Sequence, residues 1–336
     1  MKIDEKNISK KESISVEFFF NNTKEKFKLR HVNEQISLSR RIFEQNLHRP
    51  GLPLAGFLDL FSFSRVQVFG NTEMKYLEDL TLDERVKSLE RIFKFAIPCV
   101  MITNDNHVPA EMLSLANQYE VPIFVSPYET TKLAYLVSDF LDDQFSPRLS
   151  IHGSFVDVYG VGMLFVGKSG IGKSEVALDL VERGHRLVAD DVVILTKKGE
   201  GILMGSGTEL VKHFMEIRGI GIIDIRSMFG VRAIRYQKRL EVIIELEIWD
   251  TESDYTRTGL DTDSINVMDV EMPLIKLPIL PGKNITVVSE IIALNYLLKH
   301  YGYDAAKVLQ ERITSKIQQK TNSLNRSVNY FEHDFE

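Results

Sequence analysis

Short apolar runs, separated by polar stretches, set out the elements of this chain. Residues 97–103, with Ile97, Cys99, Val100, Met101 and Ile102, form a run of strand length, and residues 121–125 form a second. Between them residues 109–119 read as a helix opened by Pro109, a residue tolerated at the first helical position. Strand, helix and strand in that order predict a βαβ unit with parallel strands and a right-handed crossover. A further helix is expected over residues 132–142 and a linker over 142–147, which puts a domain boundary near residue 146. Past it, residues 155–159 and the apolar residues 163–166 read as strands. Residues 241–249 mix apolar and acidic positions as another strand, with Trp249 expected in the core, and the preceding Arg232, Arg235, Lys238 and Arg239 read as a solvated hairpin. Residues 1–12 are expected to be a disordered N-terminus and 322–336 a polar C-terminal tail, leaving domains at 13–145 and 146–321.

Composition narrows the partners. A length of 336 residues suits two domains, and 44% hydrophobic with 26% charged residues is ordinary for globular chains. The net charge of −6 is spread over both parts, so no positive field of the kind that binds nucleic acid or an anionic membrane is expected. The single cysteine, Cys99, lies in an apolar run; it forms no intrachain disulfide or cysteine-based zinc site and reads as buried packing. No run approaches the ~18 consecutive apolar residues of a membrane span, and the opening residues have no apolar signal region. A soluble cytoplasmic protein is the expectation.

The strand at 163–166 runs into Gly167, Lys168, Ser169, Gly170, Ile171, Gly172, Lys173 and Ser174, which fit GxxxxGK[ST], the loop whose backbone N–H groups surround nucleotide phosphates. A helix is expected over 174–183, with Val176, Ala177, Leu180 and Val181 on one side and Gly184 closing its end. In this pattern Lys173 meets the β/γ phosphates and Ser174 a Mg²⁺. Residues 186–189 then lead to Asp190 and Asp191, expected on a strand beside the loop strand after a short crossover helix, and so near the phosphates. One carboxylate of such a pair can hold metal and the other accept a proton from an attacking hydroxyl; the alternative is a solvated turn. On their residues alone His152, Arg257 and the segment Glu216-Ile217-Arg218 read as ordinary surface groups.

Taken together, these segments resemble the bacterial HPr kinase/phosphorylase family, which phosphorylates a serine of the phosphocarrier HPr. The resemblance runs from about residue 27 and rests on residues 49–56, 65–73, 150–153, the glycine loop, 183–191, 216–224 and 281–284. It implies an α/β fold: an N-terminal α/β domain with the parallel βαβ unit, and a C-terminal P-loop kinase core related to phosphoenolpyruvate carboxykinase, assembled as a hexamer. It further implies ATP or pyrophosphate as donor, Mg²⁺ on Ser174 and Glu216, Lys173 on the phosphates, and His152 and Arg257 in the active centre. Asp191 is implied as proton acceptor in phosphorylation and donor in the reverse reaction, with a regulatory role in carbon catabolite repression and sugar transport. Two departures matter. Lys168 stands where the family commonly has Asp, and Leu280 and Lys283 stand where it usually has Arg, in a segment tied to phosphorolysis of phosphoserine. Loss of a guanidinium removes a bidentate phosphate contact, so kinase activity is expected to exceed phosphorylase activity. The rival readings are a P-loop kinase of another protein or small molecule, and a nucleotide-gated binding module; no Asn-Lys-x-Asp guanine motif supports a GTPase switch.

Overall fold

A computed structural model describes residues 8–199, 201–208, 210–249, 263–280 and 282–324. They fall into two compact units, one of Ser9–Pro147 and one of the residues from Arg148 onward together with Ile8.

In the first unit, α1 (Val16–Phe27) and strand β1 (Arg30–His31) precede β2 (Leu47–His48) and β3 (Val66–Phe69). Helices α2 (Asn71–Asp79) and α3 (Leu82–Phe93) then lead to β4 (Val100–Ile102), α4 (Ala110–Gln118), β5 (Ile123–Val125) and α5 (Thr130–Phe145). The sheet runs β1-β5-β4-β3-β2, parallel except for β1. Apart from Gln67, every position of the inner strands β3, β4 and β5 is apolar and buried on both faces, as a parallel sheet covered by helices requires. Val100, Ile102, Ile123 and Val125 join Leu77, Leu89, Ile92 and Met112 on one face. Cys99, Met101 and Phe124 join Phe19, Phe27, Leu133 and Val137 on the other. Local chemistry fixes the helix starts: Glu84 of α3 accepts from the backbone N–H and hydroxyl of Thr81, closing a capping box.

The expected βαβ unit is present, with β4 and β5 in parallel register. The linker expected at 142–147 is instead the last turn of α5, which runs to Phe145 because Leu141 and Phe145 continue its buried stripe. Ile8–Ser9 form a short strand within the stretch expected to be disordered. Cys99 is fully buried, and desolvation pushes its thiol up to about 12. A thiol-specific reagent at pH 8 is therefore expected to leave the native protein unlabelled and to modify Cys99 only after denaturation; labelling of the folded chain at the rate of a free thiol would contradict this packing.

The second unit opens with β6 (Arg148–His152), β7 (Ser154–Val158) and β8 (Val161–Gly167), then α6 (Lys173–Glu182), β9 (Arg186–Ala189), β10 (Val192–Lys198) and β11 (Ile202–Gly207). A hairpin of β12 (Phe214–Ile217) and β13 (Gly221–Asp224) and the short α7 (Ile225–Phe229) follow, with β14 (Gln237–Arg239), β15 (Val242–Ile248), β16 (Asp263–Val267) and β17 (Val270–Ile279). Helices α8 (Ile285–His300) and α9 (Ala305–Leu324) complete it, so helix continues into the stretch expected to be a polar tail. One mixed sheet has the order β9-β7-β8-β15-β17-β16, and a second, antiparallel sheet contains β6-β10-β11-β14. Alternation along β8 places Met163 and Phe165 against α6 and α8, and Leu164 and Val166 against the antiparallel sheet. The unit is thus three layers, with the mixed sheet in the middle.

Two expectations change here. The basic residues at 232–239 are no solvated hairpin: β14 pairs with β11 in one sheet while β15 joins the other, and Lys238 is buried on Glu241 at 2.8 Å. Trp249 lies past the end of β15 and is 43% exposed rather than in the core.

Candidate functional site

The loop between β8 and α6 bends through left-handed backbone at Gly167, Gly170 and Gly172 (φ 144°, 78° and 103°), conformations that glycine adopts without steric cost. Lys168, Ser169 and Gly170 are exposed, and Ile171 anchors the loop on the core. Lys173 arches back over the loop, its Nζ donating to the carbonyls of Gly167 and Lys168 at 3.2 Å each. Val176, Ala177, Leu180 and Val181 bury one side of α6, and Gly184 turns the chain at its end with φ 96°.

The acid pair reaches the loop by a different route from the one expected. The expected crossover helix is α6, but it does not set β9 beside β8; β7 stands between them, antiparallel to both, because the tight turn after Val158 folds β8 directly onto β7. Since β8 and β9 are both antiparallel to β7, they point the same way, and Asp190 and Asp191 leave the same edge of the sheet as the loop. Asp190 is 4% exposed. Its Oδ1 accepts from Ser154 Oγ at 2.5 Å and Ser174 Oγ at 3.1 Å, while Oδ2 is buried without a partner. Desolvation raises the Asp190 carboxyl above the usual range, against the opposing effect of these hydroxyl hydrogen bonds. Asp191 faces outward, held in left-handed backbone (φ 63°) by the turn in which Gly153 N–H donates to its carbonyl at 3.1 Å. Strain of this kind at a non-glycine residue collects at functional positions. His152 Nδ1 stands 3.6 Å from Asp191 Oδ1, both side chains being open to solvent.

The hairpin of β12 and β13 forms the neighbouring wall. Met215 and Ile217 bury in the core of α6, which turns Glu216 to the exposed face. Among the described residues Glu216 has no hydrogen bond or ion pair to Ser174 or the acid pair. Arg218 lies directly over the loop: a Cβ added to Gly170 would stand 2.6–2.9 Å from its guanidinium. Neither Ser154 nor the placement of Arg218 was assigned a site role from sequence; the only signal was that each adjoins a segment of interest. Arg257 lies outside the described residues, as does Pro281. Lys283 is described and lines a cavity of about 310 Å³ with Glu175, Asp179 and Thr286, beside α6. Behind the site, Glu290 of α8 takes Arg183 at 2.9 and 2.6 Å and His185 at 3.0 Å, and the Arg183 hydrogen bonds hold its carboxyl below the usual range. That cluster fixes the turn between α6 and β9, and with it the step from the loop to Asp190.

A divalent cation fits these donors. Oδ1 of Asp190 accepts from the Ser174 hydroxyl while its Oδ2 is buried without a partner, a set of oxygen donors suited to a hard ion such as Mg²⁺. Among the described residues no group of three His, Cys, Asp or Glu side chains could cage an ion, so water and phosphate oxygens would complete its shell.

A strand, a glycine loop closed by Lys-Ser, a helix and a buried acid on the serine thus meet in the second, mixed α/β unit. Residues 14–141 match the family model described as HPr Serine kinase N terminus, and residues 143–313 match HPr Serine kinase C-terminal domain. The HPr kinase/phosphorylase of Chloroherpeton thalassium is 53% identical over 332 residues, covering 97% of this chain and 98% of that protein, and the one from Chlorobium phaeobacteroides is 50% identical over 340 residues, covering all of both. The chain belongs to the HPr kinase/phosphorylase family. The solved Hpr(Ser) kinase/phosphatase from Coxiella burnetii is 31% identical with a TM-score of 0.42, covering 45% of this chain and 98% of that one. No described helix is long and apolar enough to cross a membrane.

Proposed function

We propose that this chain is a Mg²⁺-dependent serine kinase of HPr, with ATP or pyrophosphate as donor, acting in the cytoplasm in the control of carbon catabolite repression and sugar transport. Its second unit is read as a P-loop core related to phosphoenolpyruvate carboxykinase, and the assembly as a hexamer. The observation that carries the reading is the division of labour in the acid pair, with Asp190 turned inward onto Ser174 and Asp191 turned outward beside the loop.

Backbone N–H groups of Gly167, Lys168, Ser169, Gly170, Ile171 and Gly172 surround the phosphates, with Lys173 on the β/γ oxygens. Ser174, Asp190 and Glu216 are the residues that would hold Mg²⁺, which supplies charge neutralisation on the phosphates when bound. The serine hydroxyl of HPr forms a new O–P bond to the transferred phosphorus as the bond to the bridging oxygen breaks. The hydroxyl proton passes to the Asp191 carboxylate. His152 borders that carboxylate at 3.6 Å, too long for a hydrogen bond. Arg257 is carried as an active-centre residue on the resemblance alone.

The test is to incubate the chain with ATP, Mg²⁺ and purified HPr and look for phosphoserine by mass spectrometry, then to supply inorganic phosphate to phospho-HPr and follow pyrophosphate. We expect phosphoserine to form, and phosphorolysis to run more slowly than the forward reaction, because Leu280 offers no phosphate contact and Lys283 only a point charge. Absence of phosphoserine would favour another substrate; phosphorolysis as fast as phosphorylation would remove the asymmetry.

A further inference from the structure

A serine at the start of β7 is an unusual occupant of that strand face. Ser154 stands opposite Phe165 of β8, and by alternation its side chain lies with Val156 and Val158 on the α6 side of the mixed sheet, where it is 1% exposed. A buried hydroxyl is destabilising unless it is bonded. This one has a single proton to donate, and the proton goes to Asp190 Oδ1 at 2.5 Å. Asp190 meets it because β9 carries a bulge opposite Phe155 and Val156. Leu187 packs on the α6 side, Val188 and Ala189 both pack on the other, and the slip of one residue returns Asp190 to the α6 side. Without that slip, alternation would carry Asp190 to the antiparallel-sheet side, away from Ser174.

One corner of chain therefore holds both acids. The Gly153 N–H fixes the Asp191 carbonyl, and the next residue, Ser154, fixes the Asp190 side chain. Two hydroxyls converge on the same Asp190 oxygen, Ser154 from β7 and Ser174 from α6 at 3.1 Å, and Oδ2 is left buried without a partner. A carboxylate held at one point turns easily about its last torsion, which is broad. Held by donors on two different elements, it keeps Oδ1 towards the serines and Oδ2 available. Among the described residues no group of three His, Cys, Asp or Glu side chains could cage an ion, so a cation here depends on how well its few protein donors are set in advance. We propose that Ser154 is a positioning residue for the divalent cation: its hydroxyl locks the Asp190 carboxylate, so that Ser174 can give its proton to Oδ1 and keep its own oxygen lone pairs for the ion. The inference rests on the reading of the chain as a Mg²⁺-dependent kinase and adds what sets the metal-binding group in place. A purely structural role would ask only for some partner to the buried hydroxyl, whereas the partner here is the one oxygen that Ser174 also uses.

The experiment is a Mg²⁺ titration of wild type, Ser154→Ala and Ser154→Thr, followed by thermal melting with ATP present, which needs no acceptor, and by steady-state phosphorylation of HPr. Expected for Ser154→Ala is a rise of about ten- to a hundredfold in the Mg²⁺ concentration at half effect in both readouts, the usual loss when the partner of a metal ligand is removed. Its kcat at saturating Mg²⁺ and its KM for HPr are expected within about twofold of wild type. Ser154→Thr keeps the hydroxyl on a residue that suits a strand, and is expected to keep the wild-type midpoint. If Ser154→Ala does not fold, Ser154→Cys, which keeps the size and weakens the donor, is expected to move the midpoint in the same direction. An unmoved midpoint in whichever of the two folds overturns the proposal. So does a shift as large in Ser154→Thr as in Ser154→Ala, which would trace the effect to strand packing. If Mg²⁺ and ATP raise the melting temperature of wild type but HPr stays unmodified, the choice of substrate has failed while the melting titration still decides on Ser154. If Mg²⁺ moves wild type in neither readout, the metal reading and the proposal fall together.

Discussion

Asp191→Asn is expected to slow phosphorylation of HPr by a factor of about 10²–10⁴, the usual range for loss of a positioned base, while nucleotide affinity stays near wild type. The separation follows from where the two acids point. Asp191 is 72% exposed and touches neither Lys173 nor Ser174, so its amide leaves the phosphate-binding groups in place. Asn is close to Asp in size, and asparagine is among the residues that tolerate the left-handed backbone observed here at φ 63°, so the turn through Gly153 should persist. What is lost is a group able to take the serine proton. The reverse reaction uses the same group as donor and should fall in parallel. Single-turnover rates in both directions, beside a nucleotide titration, decide it: retained turnover would remove Asp191 from proton transfer, and lost nucleotide binding would mean that the substitution disturbs the loop.

Much of this site is legible in the sequence because its chemistry is contiguous. Residues 167–174 specify a loop by spacing alone, and the strand before it and the helix after it show by their own apolar periods. The acid pair lies at the loop, but not on the strand next to the loop strand, as its spacing suggests. Its strand points the right way, yet β7 occupies the neighbouring position, because strand order is decided by which turn is tight and not by the order of apolar runs. The roles within the pair were not legible: nothing in two adjacent aspartates says which turns inward, and Ser154, which helps hold Asp190, is 36 residues away in the chain. Trp249 and the basic residues at 232–239 depart from their sequence pattern for a related reason, since an aromatic past a strand end can lie half-exposed and a run of cations can cross between two sheets with Lys238 buried on Glu241.

Asp190→Asn should separate stability from activity with opposite signs. Burial raises the Asp190 carboxyl above its ordinary range, so the folded protein binds that proton more tightly than the unfolded chain. The group's stabilising share is therefore full below the ordinary carboxylate range and is lost as pH rises through the raised value. At neutral pH, without a divalent cation, the buried carboxylate with its unpartnered Oδ2 is a net cost, and Asn removes the charge while its carbonyl still accepts from Ser154 and Ser174. The variant should melt higher than wild type in chelator at pH 7–8, by about 2–4 °C for each kcal/mol relieved, and the difference should shrink towards acid pH, where wild type is neutral too. Adding Mg²⁺ and nucleotide should reverse the order: wild type gains stability by linkage, whereas the variant has lost an anionic donor for the ion. Kinase activity should fall about ten- to a hundredfold, the worth of one charge-assisted contact. Thermal melts across pH, with and without Mg²⁺ and nucleotide, read all of this from one protein. A variant that melts below wild type in chelator at neutral pH would show that Asp190 is held for the fold, and an unchanged response to Mg²⁺ would take it out of the metal site.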